Sequence, residues 1–214
     1  MNIKICGLKF PANIKEIATL NIDMMGFVFY EKSPRFVGRN FDKKYLHSLP
    51  ESIRKVGVFV DENEALVLQK TQDYTLDVVQ LHGNESVAYC QILKSKNISV
   101  IKAFSIDNAF DFALLEHYQK FCDYFLFDAK GIKKGGNGIT FNWNNLKKYQ
   151  LNTPFFLSGG VGVDNIDDAL AFTHSQLVGL DINSKIEVAP GLKSLELAHF
   201  LTTKIRNYES YKTR

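Results

Sequence analysis

Short apolar runs recur along the chain, separated by longer stretches in which apolar and polar residues alternate at helical spacing. The runs are 3–6, 24–29, 56–60, 78–81, 99–103, 124–127, 154–157 and 177–180. Most carry apolar side chains at odd and even positions alike. Parallel strands covered on both faces have this pattern. The intervening segments 11–20, 42–49, 63–71, 86–95, 107–118, 143–148, 164–172 and 194–207 read as helices. Pro11 suits a first helical turn, and Ser86, Asp107, Asp164 and Ser194 suit caps or first-turn positions. Eight strand–helix units in 214 residues predict a single-domain α/β fold, a (β/α)8 TIM barrel spanning 1–207, with 208–214 expected to fray. The rival, a doubly wound open sheet, needs only five or six strands.

Strand parity then selects side chains. Ile3 and Ile5 share one face of the first strand, so Lys4 and Cys6 are expected to point into the barrel. The same rule turns Gln80 and His82 inward on the fourth strand, Lys102 on the fifth, Asp128 on the sixth and Asp181 on the eighth. Cys6, His82, Asp128 and Asp181 would then form a polar ring at the C-terminal rim, where barrels of this type keep their chemistry. Polar groups are costly to bury without partners, so plain packing accounts poorly for such a ring. Each member also has a structural reading. Cys6 can be a small buried hydrophobe, Asp128 and Asp181 can be caps, and His82 before Gly83 can be a turn residue. Lys4 reads best as an ion-pair partner, and its charge is expected to draw the Cys6 thiol from roughly 8.5 toward neutrality.

Two turns add anion-binding character. Ser158-Gly159-Gly160 follows the seventh strand and Asn183-Ser184 follows the eighth, the positions where backbone N–H groups often hold phosphate. Arg35, after the second strand, is either a solvated loop charge or a fork for a carboxylate.

Composition narrows the partners. With 26 basic and 23 acidic residues the net charge is +3, too small for a nucleic-acid or membrane footprint. Three cysteines without paired spacing argue against a disulfide scaffold or a zinc site. A cytoplasmic, reduced setting is expected, with the chain a monomer or a homodimer.

Several motifs now fall into one order: Lys4-Ile5-Cys6-Gly7-Leu8; Gly26-Phe27-Val28-Phe29 with Ser33-Pro34-Arg35; Val58-Phe59-Val60; Val79-Gln80-Leu81-His82-Gly83; Phe127-Asp128; Gly135-Gly136-Asn137-Gly138 with Phe141-Asn142-Trp143; Leu157-Ser158-Gly159-Gly160; and Gly179-Leu180-Asp181-Ile182-Asn183-Ser184, continuing through Glu187 to Pro190-Gly191 and Lys193. Over nearly its full length the chain resembles the phosphoribosylanthranilate isomerase family of tryptophan biosynthesis. The resemblance implies an Amadori rearrangement without metal or other cofactor, converting N-(5-phosphoribosyl)anthranilate to 1-(2-carboxyphenylamino)-1-deoxyribulose 5-phosphate. It implies that Asp128 is the general acid for ring opening and Cys6, as thiolate, the general base at C2. Arg35 would hold the anthranilate carboxylate, and Gly159, Gly160, Asn183 and Ser184 the phosphate. His82 and Asp181 would complete the substrate-binding wall. An Asp acting as an acid is expected to be partly desolvated. The chain departs from the family pattern at Asn137, Asn142 and Ser194, and between Lys130 and Lys134 it is unusually basic. Two other phosphosugar barrels remain as alternatives: a synthase, for whose catalytic lysine Lys102 is the only strand candidate besides Lys4, and a metal-dependent epimerase for which His82 is the one good ligand. A non-catalytic phosphate-binding barrel is a third.

Overall fold

The structure, a computed structural model, describes residues 1–129 and 142–212. The glycine-rich segment 131–138, the lysines between 130 and 134, and Phe141 lie outside the described residues. Among those described, eight strands run parallel and close into a barrel: β1 (Asn2–Ile5), β2 (Met24–Val28), β3 (Arg54–Phe59), β4 (Val78–Leu81), β5 (Ser99–Ile106), β6 (Tyr124–Ala129), β7 (Phe155–Leu157) and β8 (Leu177–Ile182). Closure is made by β8 against β1, with Lys4 opposite Asp181. The open-sheet alternative is excluded.

Two apolar layers follow from the strand alternation. Met24, Val56, Val58, Val78, Ile101, Ala103, Leu126 and Phe156 fill the interior. Ile3, Ile5, Phe27, Phe59, Val79, Leu81, Phe125, Phe127 and Leu180 face outward, toward the helices. These include α1 (Pro11–Ile17), α2 (Lys44–His47), α3 (Glu64–Asp73), α4 (Val87–Ser95), α5 (Ile166–Ala171) and α6 (Leu195–Lys212). Each fully buried aliphatic or Phe side chain contributes about 1.5–3 kcal/mol through removal from water.

The predicted helices change in three places. Residues 107–118 do not form one α-helix. Asp107 caps a separate turn through Ala109 N, and a 3-10 helix runs Phe112–Tyr118 with Asp111 as its cap. Phe112, Leu115 and Tyr118 recur every third residue, and 3-10 winding keeps such a row on one line. Phe112 packs on Phe127, and Tyr118 on Phe104. Trp143–Lys148 is likewise 3-10, and Asn142 still caps it, accepting from Asn144 N at 3.1 Å. Finally, α6 continues past Asn207 to Lys212. Glu209 pairs with both the Met1 amino group and Arg206, which ties this last turn to the start of β1. Elsewhere Ser86 and Ser194 cap as expected, accepting from Tyr89 N and Leu197 N. No described helix is long and apolar enough to cross a membrane.

The loop after β8 contains a small antiparallel hairpin that the apolar pattern does not announce: β9 (Glu187–Ala189) and β10 (Leu192–Lys193), turning at Pro190-Gly191. It packs beside α1, where Asn13 exchanges two hydrogen bonds with the Lys193 backbone.

Candidate active site

Cys6 sits one residue beyond β1. Its N–H donates to Ile182 O at 2.9 Å, which extends the β1–β8 ladder to the rim. The side chain is inward and buried, 4% exposed. Its thiol lies against β2 where that strand has glycine. A Cβ on Gly26 would stand 2.6 Å from Cys6 Sγ. Beneath it, Lys4 Nζ donates to Asp181 Oδ1 at 2.6 Å, and Ser158 Oγ donates to Asp181 Oδ2 at 3.1 Å. Asp181 is thus inward as expected, but both of its oxygens are committed to Lys4 and Ser158.

The expected acidification of Cys6 is overturned. Burial pushes the thiol above its ordinary value, and Asp181 adds to this; the opposing pulls of Lys4 and Lys193 do not reverse it. Lys4 itself is raised: burial disfavours its charge, but Asp181 and Cys6 outweigh that. The cation expected to activate Cys6 is already neutralised by Asp181.

Asp128 and His82 meet across the mouth. Asp128 is partly buried. Its Oδ1 accepts from Ala129 N at 2.9 Å, and Oδ2 is 3.4 Å from His82 Nε2. His82 Nδ1 is 3.0 Å from Gln80 Nε2, the next inward residue down β4. The loop carrying His82 is held from behind. Glu85 accepts from Asp61 N, from Gly83 N and from Lys102 Nζ, the last at 3.1 Å. Lys102 also donates to Gly83 O at 2.9 Å and lies over the Phe104 ring. Lys102 therefore does not point inward. Ile101 and Ala103 occupy the interior of β5, and Lys102 is buried on the outer layer. The synthase alternative is left with Lys4, which is buried and paired with Asp181.

Arg35 is buried rather than solvated. It gives Glu187 a two-point fork, Nε to Oε1 at 2.9 Å and Nη2 to Oε2 at 2.6 Å. Lys193 Nζ donates to Glu187 Oε1, Asn183 Oδ1 and Asn183 O at 2.8, 2.7 and 3.2 Å. Burial would raise the Glu187 carboxyl, but Arg35, Lys193 and Gly191 N together hold it low. Burial brings Lys193 down to about 8 against the pull of Glu187. One edge of Arg35 is spent on Glu187; the edge through Nη1 makes no hydrogen bond among the described residues.

Gly159 and Gly160 both have φ of 82° after β7, a conformation that suits glycine. A Cβ on Gly159 would meet Ala129 N at 2.5 Å, so the turn lies hard against the end of β6. Asn183 and Ser184 follow β8, with Ser184–Ile186 forming one 3-10 turn. The turns after β7 and β8 and the strand leading to Cys6 are therefore consecutive around the closed barrel.

A family profile described as N-(5'phosphoribosyl)anthranilate (PRA) isomerase matches residues 3–203. The N-(5'-phosphoribosyl)anthranilate isomerase of Parabacteroides distasonis is 43% identical, over 92% of this chain and 89% of its own. The chain belongs to the phosphoribosylanthranilate isomerase family. Among solved structures of this family, the enzyme from Thermotoga maritima superposes with a TM-score of 0.85 at 30% identity, covering 98% of this chain and 99% of its own. A second, 27% identical with a TM-score of 0.83, covers 97% and 99%; it was solved in complex with reduced 1-(o-carboxyphenylamino)-1-deoxyribulose 5-phosphate.

Within this phosphoribosylanthranilate isomerase fold, the inferred rim residues separate into three groups. Cys6 stands over the Lys4–Asp181–Ser158 cluster, His82 stands with Asp128, and Arg35 stands with the loop of Asn183. Strand parity does not reveal Glu187 or Lys193, because both lie outside the barrel strands. Their signal is the Pro190-Gly191 turn, which folds residues 187 and 193 face to face. Gly26 leaves no trace in an apolar pattern either, since its contribution is the side chain it lacks. Cys90 and Cys122 are buried free thiols.

Proposed function

We propose that this chain isomerises N-(5'-phosphoribosyl)anthranilate to 1-(2-carboxyphenylamino)-1-deoxyribulose 5-phosphate, with Asp128 as general acid and Cys6 as general base. The observation that carries the reading is the pair of inward rim side chains on β6 and just past β1, with the Gly159-Gly160 and Asn183-Ser184 turns on the strands between them. A sugar whose phosphate occupies those turns has its other end between the two groups.

Asp128 gives its proton to the furanose ring oxygen, and the C1–O bond breaks to leave an iminium. Cys6 as thiolate removes the proton at C2, and the electron pair flows to the iminium nitrogen. The enolamine that results tautomerises to the ketone. Such acid and base groups contribute about 10²–10⁴-fold each. The buried thiol suits this order of events. In the free protein burial disfavours the thiolate; the thiol proton leaves to solvent before the C2 step, and the cationic iminium then stabilises the neighbouring thiolate. Arg35 holds the anthranilate carboxylate on its Nη1 edge while Glu187 fixes the opposite edge. Asp181 serves by holding Lys4 beneath Cys6. His82 faces the carboxylate that Asp128 becomes.

The test is loss of substrate anthranilate fluorescence with the purified protein and with Cys6→Ser and Asp128→Asn. Each substitution is expected to lower kcat by at least about 10²-fold while inorganic phosphate still binds. Near-normal turnover in either variant would overturn the assignment.

A further inference from the structure

Gln80 is an interior polar residue that the reaction as written leaves unused. It is 1% exposed and sits two positions before His82 on β4. Its Nε2 is 3.0 Å from His82 Nδ1, and His82 Nε2 is 3.4 Å from Asp128 Oδ2. Three polar groups therefore form a line from the sealed interior to the mouth. Gln80 Oε1, at the inner end, is buried with no hydrogen-bond partner among the described residues.

That line has a direction. A neutral imidazole offers one donor and one acceptor, and an amide nitrogen can only donate. With the Gln80 nitrogen toward it, Nδ1 must accept, so the ring proton resides on Nε2, the nitrogen 3.4 Å from Asp128 Oδ2. Turning the amide would relieve Oε1 only if Nδ1 carried a proton, and His82 would then meet Asp128 either through a bare Nε2 or as a cation. Buried polar atoms are rarely left unpaired. Here the unpaired oxygen is the counterpart of a nitrogen used to orient His82.

We propose that Gln80 is a positioning residue that holds His82 as its neutral Nε2–H tautomer, so that a neutral donor awaits the carboxylate Asp128 becomes when it yields its proton. No proton enters or leaves His82 during turnover; its Nε2–H stands beside the charge as it appears. The inference rests on the reading of Asp128 as general acid. Among the described residues, the charged groups around His82 are Asp128 from β6, Lys102 from β5 and Glu85 behind the loop, and Asp61 after β3, which accepts from Asn84 N. Of these, Asp128 is the one paired with the imidazole itself.

The test combines 15N-detected NMR of His82 with steady-state kinetics on Gln80→Met and Gln80→Glu. The unmodified protein should show the Nε2–H tautomer at neutral pH. Gln80→Met should mix the two tautomers and lower kcat about tenfold, a fraction of what a general acid contributes, with KM unchanged. Gln80→Glu, which keeps the polar interior should the Met variant fail to fold, should protonate Nδ1 and raise the His82 titration by more than about one unit. An Nδ1–H tautomer in the unmodified protein, or a Gln80→Glu protein in which His82 titrates unchanged, overturns the proposal. Unchanged 15N shifts and kcat in a folded Gln80→Met protein do the same. Full turnover by Asp128→Asn would instead remove the acid assignment, a separate outcome from the tautomer result.

Discussion

Lys4 and Asp181 face each other across the β1–β8 seam at 2.6 Å, with side chains 0% and 5% exposed. The pair closes the barrel directly beneath Cys6. A buried pair is weak support for stability when whole, but losing one partner strands a charge. Asp181→Asn should therefore destabilise the fold by about 3–5 kcal/mol, and Lys4→Met with Asp181→Leu should recover most of that loss. Urea unfolding of the two variants checks the difference.

The pH dependence of the base follows from its burial. Cys6 is raised above its ordinary value, so the thiol form dominates below that point and the thiolate grows as pH rises. The value of kcat/KM should climb through the neutral range, with its limb on the alkaline side of a free cysteine. A profile already flat from pH 6 to 8 would show that the free protein carries a preformed thiolate.

Lys193 should control the affinity for the carboxylate end of the substrate. With Lys193 charged, Arg35, Glu187 and Lys193 sum to one positive charge, which an incoming carboxylate neutralises. Lys193 keeps its proton below about 8 and loses it above, so the Kd of a non-reacting carboxylate analogue of the substrate, measured by calorimetry, should rise as the pH passes that value. Lys193→Met should show the raised Kd at every pH and lose the dependence.

Gly26 makes room for the thiol. Gly26→Ala would place a Cβ 2.6 Å from Cys6 Sγ, and overpacking of this kind costs about 1–3 kcal/mol. The variant should fold, with kcat falling more than KM changes, because the displaced atom is the base. Equal activity in Gly26→Ala would show that the Cys6 side chain can shift without consequence.

Arg35 illustrates how a residue type can be read correctly and still leave its geometry open. The sequence allowed a solvated charge or a fork aimed at a carboxylate. The fold buries the fork and gives one edge to Glu187, a residue 152 positions away. Lys102 is the reverse case. Alternation alone turned it inward, because its apolar neighbours on β5 fit either face. Packing turned it outward, where Glu85 and the carbonyl of Gly83 could satisfy the ammonium and an interior of Ile101 and Ala103 could not.

What the sequence determined by itself is the repeating frame and the inward set of β1, β4, β6 and β8, since a period of two in a strand covered on both faces leaves each side chain only two directions. Cys6, His82, Asp128 and Asp181 all follow from that rule. The tertiary structure alone decided which charges meet: Lys4 with Asp181, Lys193 with Glu187, Gln80 and Asp128 with His82. Pairing of this kind, and the burial that raises Cys6, depends on distances between strands and loops far apart in the chain, and no local pattern encodes a distance. The same holds for the space at Gly26, which exists only once β1 and β2 lie side by side.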